Sequence, residues 1–382
     1  MTSTSGPATH PYTFGLEKEY FLVRRNGRRL RHMSRRFFTE CREALGERFG
    51  SEMLQTQVEV QTLVHDDPDT AEEDLRTLRR SVARVAERHG LGIVAAGTHP
   101  SAQWRGQLST DKPHYDQVMG ELQMLGQRNL LCGLHVHVQP ADPGRRVELM
   151  ARMQPFLPLL LALSTSSPFW MGHATGLMGY RQTAYQEIPR TGLPPLFRDQ
   201  TEYDHYVQRM TDGRAIQDAS FLWWALRPSR AFPTLELRVR VTDACTDLCD
   251  ALAIAQLYRC LVRHLERRPS LYADLQAGDQ AIVAENLWRA QRHGFDAGLI
   301  DLGSRRLVAV REMLENTLEA LDDDIRALGC ERQVERVWRI LEGGTSAHAQ
   351  LQRYRERRDA GDSHAAALSH VVHWLANASA PV

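Results

Sequence analysis

Four separate segments of this chain alternate like β-strands and gather ionisable side chains on one face, which restricts the possible folds more than any other feature. Successive side chains of a strand point to opposite faces. In Thr13-Phe-Gly-Leu-Glu17-Lys-Glu19-Tyr-Phe-Leu-Val23 this puts Glu17 and Glu19 on one face and Leu16, Lys18 and Tyr20 on the other. From Gln55 to Thr62 the polar series Gln55, Gln57, Glu59 and Gln61 alternates with Thr56, Val58, Val60 and Thr62, and Glu52 lies just upstream. In Leu130-Leu-Cys-Gly-Leu-His135-Val-His137-Val-Gln139 both imidazoles share a face opposite Leu134, Val136 and Val138. In Thr234-Leu-Glu236-Leu-Arg238-Val-Arg240-Val241 a carboxylate and two guanidiniums do the same. Like charges side by side on a sheet repel unless a cation sits between them. A hard divalent metal, which takes oxygen ligands, is the natural candidate. A wet edge strand would explain one such segment. Four of them suit a metal–phosphate site lined by Glu, His and Arg.

The frame around these strands is ordinary. A chain of 382 residues, 42% hydrophobic and 25% charged, is long enough for a large core. Lys+Arg and Asp+Glu balance at 47 each, which gives no sign of a nucleic acid or anionic membrane partner. The first residues carry neither a basic nor an apolar signal region, and the longest apolar run, 156–163, is too short to span a bilayer. Six cysteines without zinc or redox spacing fit a reducing cytoplasm and free thiols. Cys245 and Cys249 read as helix-start and core thiols, and Trp223-Trp224 as packing.

Asp67-Pro68 should start a helix, with Leu75, Leu78, Val82, Val85 and Ala86 as its apolar stripe and Gly90 as its stop. A short strand, 91–96, follows. A second helix over 143–163 carries Pro155 and Pro158, which predict a kink or break. Residues 165–197 read as a long loop, rich in Ser, Gly and Pro, of the kind that is functional or disordered. After Asp247 helices are expected over 248–266, 280–293, 304–328, 334–341, 347–357 and 365–376. With no internal repeat or interdomain linker, one α+β domain over 10–380 is the simplest organisation, with 1–9 as a disordered tail. Neither GxxxxGKS/T nor a strand-linked GxGxxG is present, which excludes P-loop and Rossmann nucleotide binding.

Several of these segments, taken in order, carry a resemblance. Gly15-Leu-Glu17-Lys-Glu19, Gln55-Thr-Gln-Val-Glu59, Gly97-Thr-His-Pro100, Cys132-Gly-Leu-His135-Val-His137-Val, Tyr180-Arg181, Ile188-Pro-Arg190-Thr-Gly192-Leu-Pro-Pro195 and Thr234-Leu-Glu236-Leu-Arg238 together resemble the type 2 glutamate–cysteine ligases. These carboxylate–amine ligases belong to the glutamine-synthetase-like superfamily, and the resemblance covers nearly the whole chain. It implies a curved, mostly antiparallel sheet lining the active site, helices on its outer face and a helical C-terminal region. It also implies ATP- and magnesium-dependent joining of a carboxylate to an amine, typically the γ-carboxylate of glutamate to cysteine, with two or three ions and Mn²⁺ as a possible substitute.

Carried over by position, the resemblance makes Glu17, Glu19, Glu52, Glu59, His135 and Glu236 metal ligands, with Glu17 and Glu236 also facing ATP and Glu59 catalytic. Arg238, joined by Arg240, would contact phosphate. Arg181 would reach the transferred phosphate or the substrate carboxylate, and Arg190 and His137 would bind substrate. Phosphoryl transfer asks mainly for positioning and charge neutralisation, so no side-chain nucleophile is required. Two departures stand out. Glu236 and Asp243 are seven residues apart where relatives usually have five, because Arg238-Val-Arg240-Val241 reads as a duplicated pair, which leaves open which arginine meets phosphate. Gln139 stands where a glycine commonly follows the His-x-His strand. The acceptor also stays open between cysteine and another amino acid or amine. Other readings are a non-catalytic nucleotide or glutamate sensor on the same fold and a metal hydrolase, which lacks the expected βα series. Soluble substrates, no nucleic acid, no membrane and a homodimer complete the expectations.

Overall fold

The computed structural model describes residues 11–25, 29–229, 232–237 and 241–380. Its largest sheet is organised by β1 (Phe14–Arg24), whose β-branched and aromatic residues suit a pleated, covered strand. The other strands are β2 (Phe49–Ser51), β3 (Gln57–Gln61), β4 (Leu91–Val94), β5 (Leu134–Val138), β6 (Phe169–Trp170), β7 (His173–Ala174), β8 (Leu226–Pro228), β9 (Leu235–Leu237), β10 (Gly298–Ile300) and β11 (Leu307–Ala309). Seven of them form one sheet in the order β2-β3-β1-β5-β9-β8, with β4 also paired to β1. All its ladders are antiparallel. The register puts Glu19 opposite Glu59, Glu17 opposite His135, His137 opposite Glu236 and Arg227 opposite Glu236.

The face opposite these groups is covered by helices. Tyr20, Leu22, Val58 and Val60 pack with Phe37 and Cys41 of helix Arg35–Leu45 and with Leu78, Val82 and Val85 of helix Pro68–Arg88. Leu16, Leu134, Val136 and Val138 join a larger cluster with helices Arg146–Met153, Leu157–Ser164 and Leu248–Arg267. Each such side chain contributes about 1.5–3 kcal/mol on full burial. This burial fixes the register, because a slip of one residue would turn Glu17 and Glu19 into the core. Further along β1 the odd-numbered face itself becomes apolar at the buried Phe21 and Val23, so the ionisable stretch ends at Glu19.

Local signals account for several helices. Asp67 caps helix Pro68–Arg88 by accepting from the Thr70 N–H at 2.7 Å, and the expected apolar stripe is buried. The predicted break at Pro155 is present: helix Arg146–Met153 gives way to a 3₁₀ turn, Gln154–Phe156, before helix Leu157–Ser164. The whole stretch Pro143–Ser164 is long and apolar enough to cross a membrane, but its most apolar window is 83% buried inside the protein.

Two expectations need correction. Residues 165–197 are not one unbroken loop: Thr165 to Ser167 are buried, β6 and β7 pair, and Tyr180–Tyr185 is a helix. Residues 304–328 are not one helix, because β11 comes first and Val310–Ala320 and Asp322–Ala327 are separate helices. Leu307 continues the helical pattern in sequence, yet it pairs with Ile300 in a hairpin. Helices Arg35–Leu45, Pro113–Leu122 and Gln200–Asp212 had no expectation attached to them.

Candidate active site

Strand parity and register bring the sequence-predicted carboxylates and imidazoles together as two adjoining groups. In the first, Glu17, His135, His137 and Glu236 each offer a ligand atom within 4.8 Å of the others. In the second, Glu19, Glu52 and Glu59 do the same. Glu17 and Glu19 are two residues apart on β1, so the groups lie roughly 7 Å apart along the strand. Glu52 is not on a strand. It sits in the connection between β2 and β3, where its carbonyl accepts from Thr110 Oγ1 at 2.6 Å.

Within the first group the Glu17 carboxylate bonds His135 Nδ1 and lies 3.3 Å from His137 Nε2. Glu236, 2% exposed, lies 3.9 Å from His135 Nδ1 and 4.0 Å from His137 Nε2. Its other oxygen accepts from Arg227 Nε at 2.8 Å. In the second group Glu19 accepts from the Gly133 N–H at 2.8 Å, and Glu59 accepts from Gln61 Nε2 at 2.9 Å.

The two groups differ electrically. Burial alone would raise Glu17, but His135 and His137 outweigh it and hold its carboxyl well below the usual range. Glu19 is pushed up to about 8 by burial and by Glu52, against the pull of Arg181 and the Gly133 N–H. Burial raises Glu52 as well, reinforced by Glu17. Glu59 is pushed well above the carboxylate range by burial, then by Glu17, Glu52 and Glu19. Three carboxylates facing one another, Glu19 buried and Glu52 and Glu59 half-buried, are a poor resting arrangement and a good donor set for a hard cation. The mixed carboxylate–imidazole group fits a divalent ion equally well.

Arg181 lies beside the second group, at the start of helix Tyr180–Tyr185, fully buried, and its charge bears on Glu19. Arg190 has other partners: Glu121 at 2.7 Å, the Phe221 carbonyl at 3.1 Å and the Trp223 ring 5.1 Å away. Arg238 and Arg240 lie outside the described residues. Trp223 and Trp224 are buried, Trp224 against Phe197 and Tyr206.

Sequence reasoning missed Arg227, which closes the row of facing groups at β8. It missed Tyr115, whose hydroxyl donates to the Ser51 carbonyl at 3.0 Å and is raised by burial and by Glu52, Glu59 and Glu19. It also missed Lys18, which is fully buried behind the site and donates to the Cys245 carbonyl at 2.6 Å. Burial lowers the Lys18 ammonium to about 8. Only the parity of Lys18 was visible in sequence. A three-residue strand such as β8 has no periodicity to read.

Comparison with known proteins fixes the lineage. The profile of the glutamate-cysteine ligase family 2 (GCS2) matches residues 13–369. The chain belongs to this family. A GCS2 relative from Bradyrhizobium diazoefficiens, named "Putative glutamate--cysteine ligase 2", is 46% identical over 346 residues, covering 90% of this chain and 80% of the relative. One of the same name from Bradyrhizobium sp. (strain ORS 278) is 45% identical over 381 residues, covering 99% and 90%. The crystal structure of a glutamate–cysteine ligase from Francisella tularensis in complex with AMP shares the fold, with a TM-score of 0.69 at 12% identity over 97% of this chain and 89% of that one. The α+β class with a large antiparallel sheet and a helical C-terminus is thus the family fold.

Proposed function

We propose that this GCS2 protein is an ATP-dependent ligase that joins the γ-carboxylate of glutamate to the amine of cysteine. The observation that carries this reading is the pair of adjoining acidic groups on one sheet face, in a chain whose family match runs over residues 13–369. Glu17, His135, His137 and Glu236 would hold one divalent ion, and Glu19, Glu52 and Glu59 another, with Mg²⁺ the natural occupant and Mn²⁺ a substitute. Such ions supply neutralisation of phosphate oxygens during phosphoryl transfer.

The rest of the work falls to the protein. A glutamate γ-carboxylate oxygen takes the γ-phosphoryl group of ATP, ADP leaves, and the cysteine amine displaces phosphate from the acyl phosphate with loss of a proton. Arg181, buried and beside Glu19, supplies positive charge to the transferred group or to the substrate carboxylate. His135 and His137 fix the orientation of Glu17. Arg227 fixes that of Glu236. The floor under these groups is the helix-covered face of β1, β3 and β5, apolar apart from the buried Lys18, which keeps water from approaching from behind. The six thiols are all free, in keeping with a cytoplasmic location.

Hydroxylamine offered in place of cysteine tests the intermediate. With Mg²⁺-ATP and glutamate it should yield γ-glutamyl hydroxamate alongside ADP. ADP formation without hydroxamate would rule out an acyl phosphate on glutamate.

A further inference from the structure

Arg181 is fully buried, yet its Nε and Nη2 make no hydrogen bond among the described residues. A guanidinium keeps its charge in a protein, so an interior site needs compensation nearby. That compensation comes from Asp243, equally buried, whose Oδ1 lies 3.9 Å from Arg181 Nη1. The other oxygen, Oδ2, accepts from the Ser166 N–H at 2.8 Å and from Ser167 Oγ at 2.6 Å. Ser167 Oγ in turn accepts the Arg181 backbone N–H at 3.0 Å. The same carboxylate therefore faces the arginine's head and, through one serine, holds its backbone.

The offset geometry matters. A short bidentate pair would use up the guanidinium donors. At 3.9 Å the charge is balanced, Nη1 donates to the Thr242 carbonyl at 3.5 Å, and Nε and Nη2 have no hydrogen-bond partner among the described residues, which suits an incoming anion. The surroundings are shaped to the carboxylate as well. A Cβ on Gly97 would stand 2.5 Å from Asp243 Cγ, and the Gly97 N–H donates to Ser166 Oγ at 2.8 Å. Asp243 also bridges to Gly133, whose N–H holds Glu19.

We propose that Asp243 is a positioning residue for the ligation, holding Arg181 beside the Glu19 group with Nε and Nη2 free for an anionic substrate group, and that Gly97 is a glycine because this carboxylate occupies the space. The inference rests on the ligase reading above and adds a residue that touches no substrate.

Kinetics of Asp243→Asn, Arg181→Lys and the double variant test it, together with the Arg Nε–H resonance of Arg181, assigned by its loss in Arg181→Lys. Asp243→Asn should lower kcat roughly 10²-fold, as misplacement of a substrate-orienting group does. In the Arg181→Lys background the further loss should stay within about twofold. The Nε–H signal, sharp in the unsubstituted protein, should shift or broaden in Asp243→Asn. Independent, multiplying losses, or an unchanged resonance with unchanged kcat, would overturn the proposal. If Asp243→Asn does not fold, Ser167→Ala takes its place, with about a tenfold loss expected and the same resonance as readout. If the unsubstituted protein turns over no glutamate–cysteine mixture, the substrate reading fails, while the resonance still decides the role of Asp243.

Discussion

Glu17 and Glu59 share one sheet face and respond to it in opposite ways. Imidazoles hold Glu17 ionised, while burial among other carboxylates drives Glu59 toward its protonated form. A cation entering the Glu19 group must therefore expel protons. Manganese binding near neutral pH should release protons into buffer, and affinity should climb as pH rises through about 8, where Glu19 titrates. Calorimetry in buffers of different ionisation enthalpy checks this, and pH-independent affinity would contradict it. Arg227 gives a second prediction at this scale. Replacing it with Met leaves the buried Glu236 without its 2.8 Å partner and should cost about 3 kcal/mol of stability, scaled down for the part-exposed arginine. The double variant Arg227→Met/Glu236→Gln should recover most of that loss in chemical denaturation. Glu17, Glu19, His135 and His137 were legible because parity within one strand places them. Arg227 and Asp243 were not, because their roles come from partners on other segments.

Individual elements show the same division. The helix Pro68–Arg88 could be read from its Asp cap, first-turn proline and apolar stripe, all of which act locally. The break at Pro155 could be read for the same reason. Residues 165–197 could not, since the partner that Ser166 and Ser167 bond is the distant Asp243. The β10–β11 hairpin is similarly invisible, because Leu307 and Val308 suit either state and only pairing with Leu299 and Ile300 decides. At this level Gly97→Ala should destabilise the protein by about 1–3 kcal/mol, an overpacking cost, since the added methyl meets a carboxylate already fixed by two hydrogen bonds, from the Ser166 N–H and Ser167 Oγ. A melting temperature equal to that of the parent protein would count against the packing described around Asp243.

For the whole molecule the acidic groups couple stability to pH. The folded, metal-free state holds Glu19 at about 8, well above an unfolded glutamate near 4.5, so it binds more protons than the unfolded chain between those values. The stabilising contribution is thus complete below about pH 4.5 and is lost as pH rises through about 8. Across that window the melting temperature of Glu19→Gln should depend less steeply on pH than that of the parent. Saturating Mg²⁺ should raise the parent's melting temperature more at about pH 8 than at about pH 6, because it binds the deprotonated form. Equal metal effects at both values would contradict the assignment.

The most direct test of the central claim is ADP release from Mg²⁺-ATP with glutamate, with and without cysteine, beside Glu59→Gln. The account predicts ADP formation that needs both amino acids and disappears in the variant. Turnover that is indifferent to cysteine, or that survives Glu59→Gln unchanged, would contradict it.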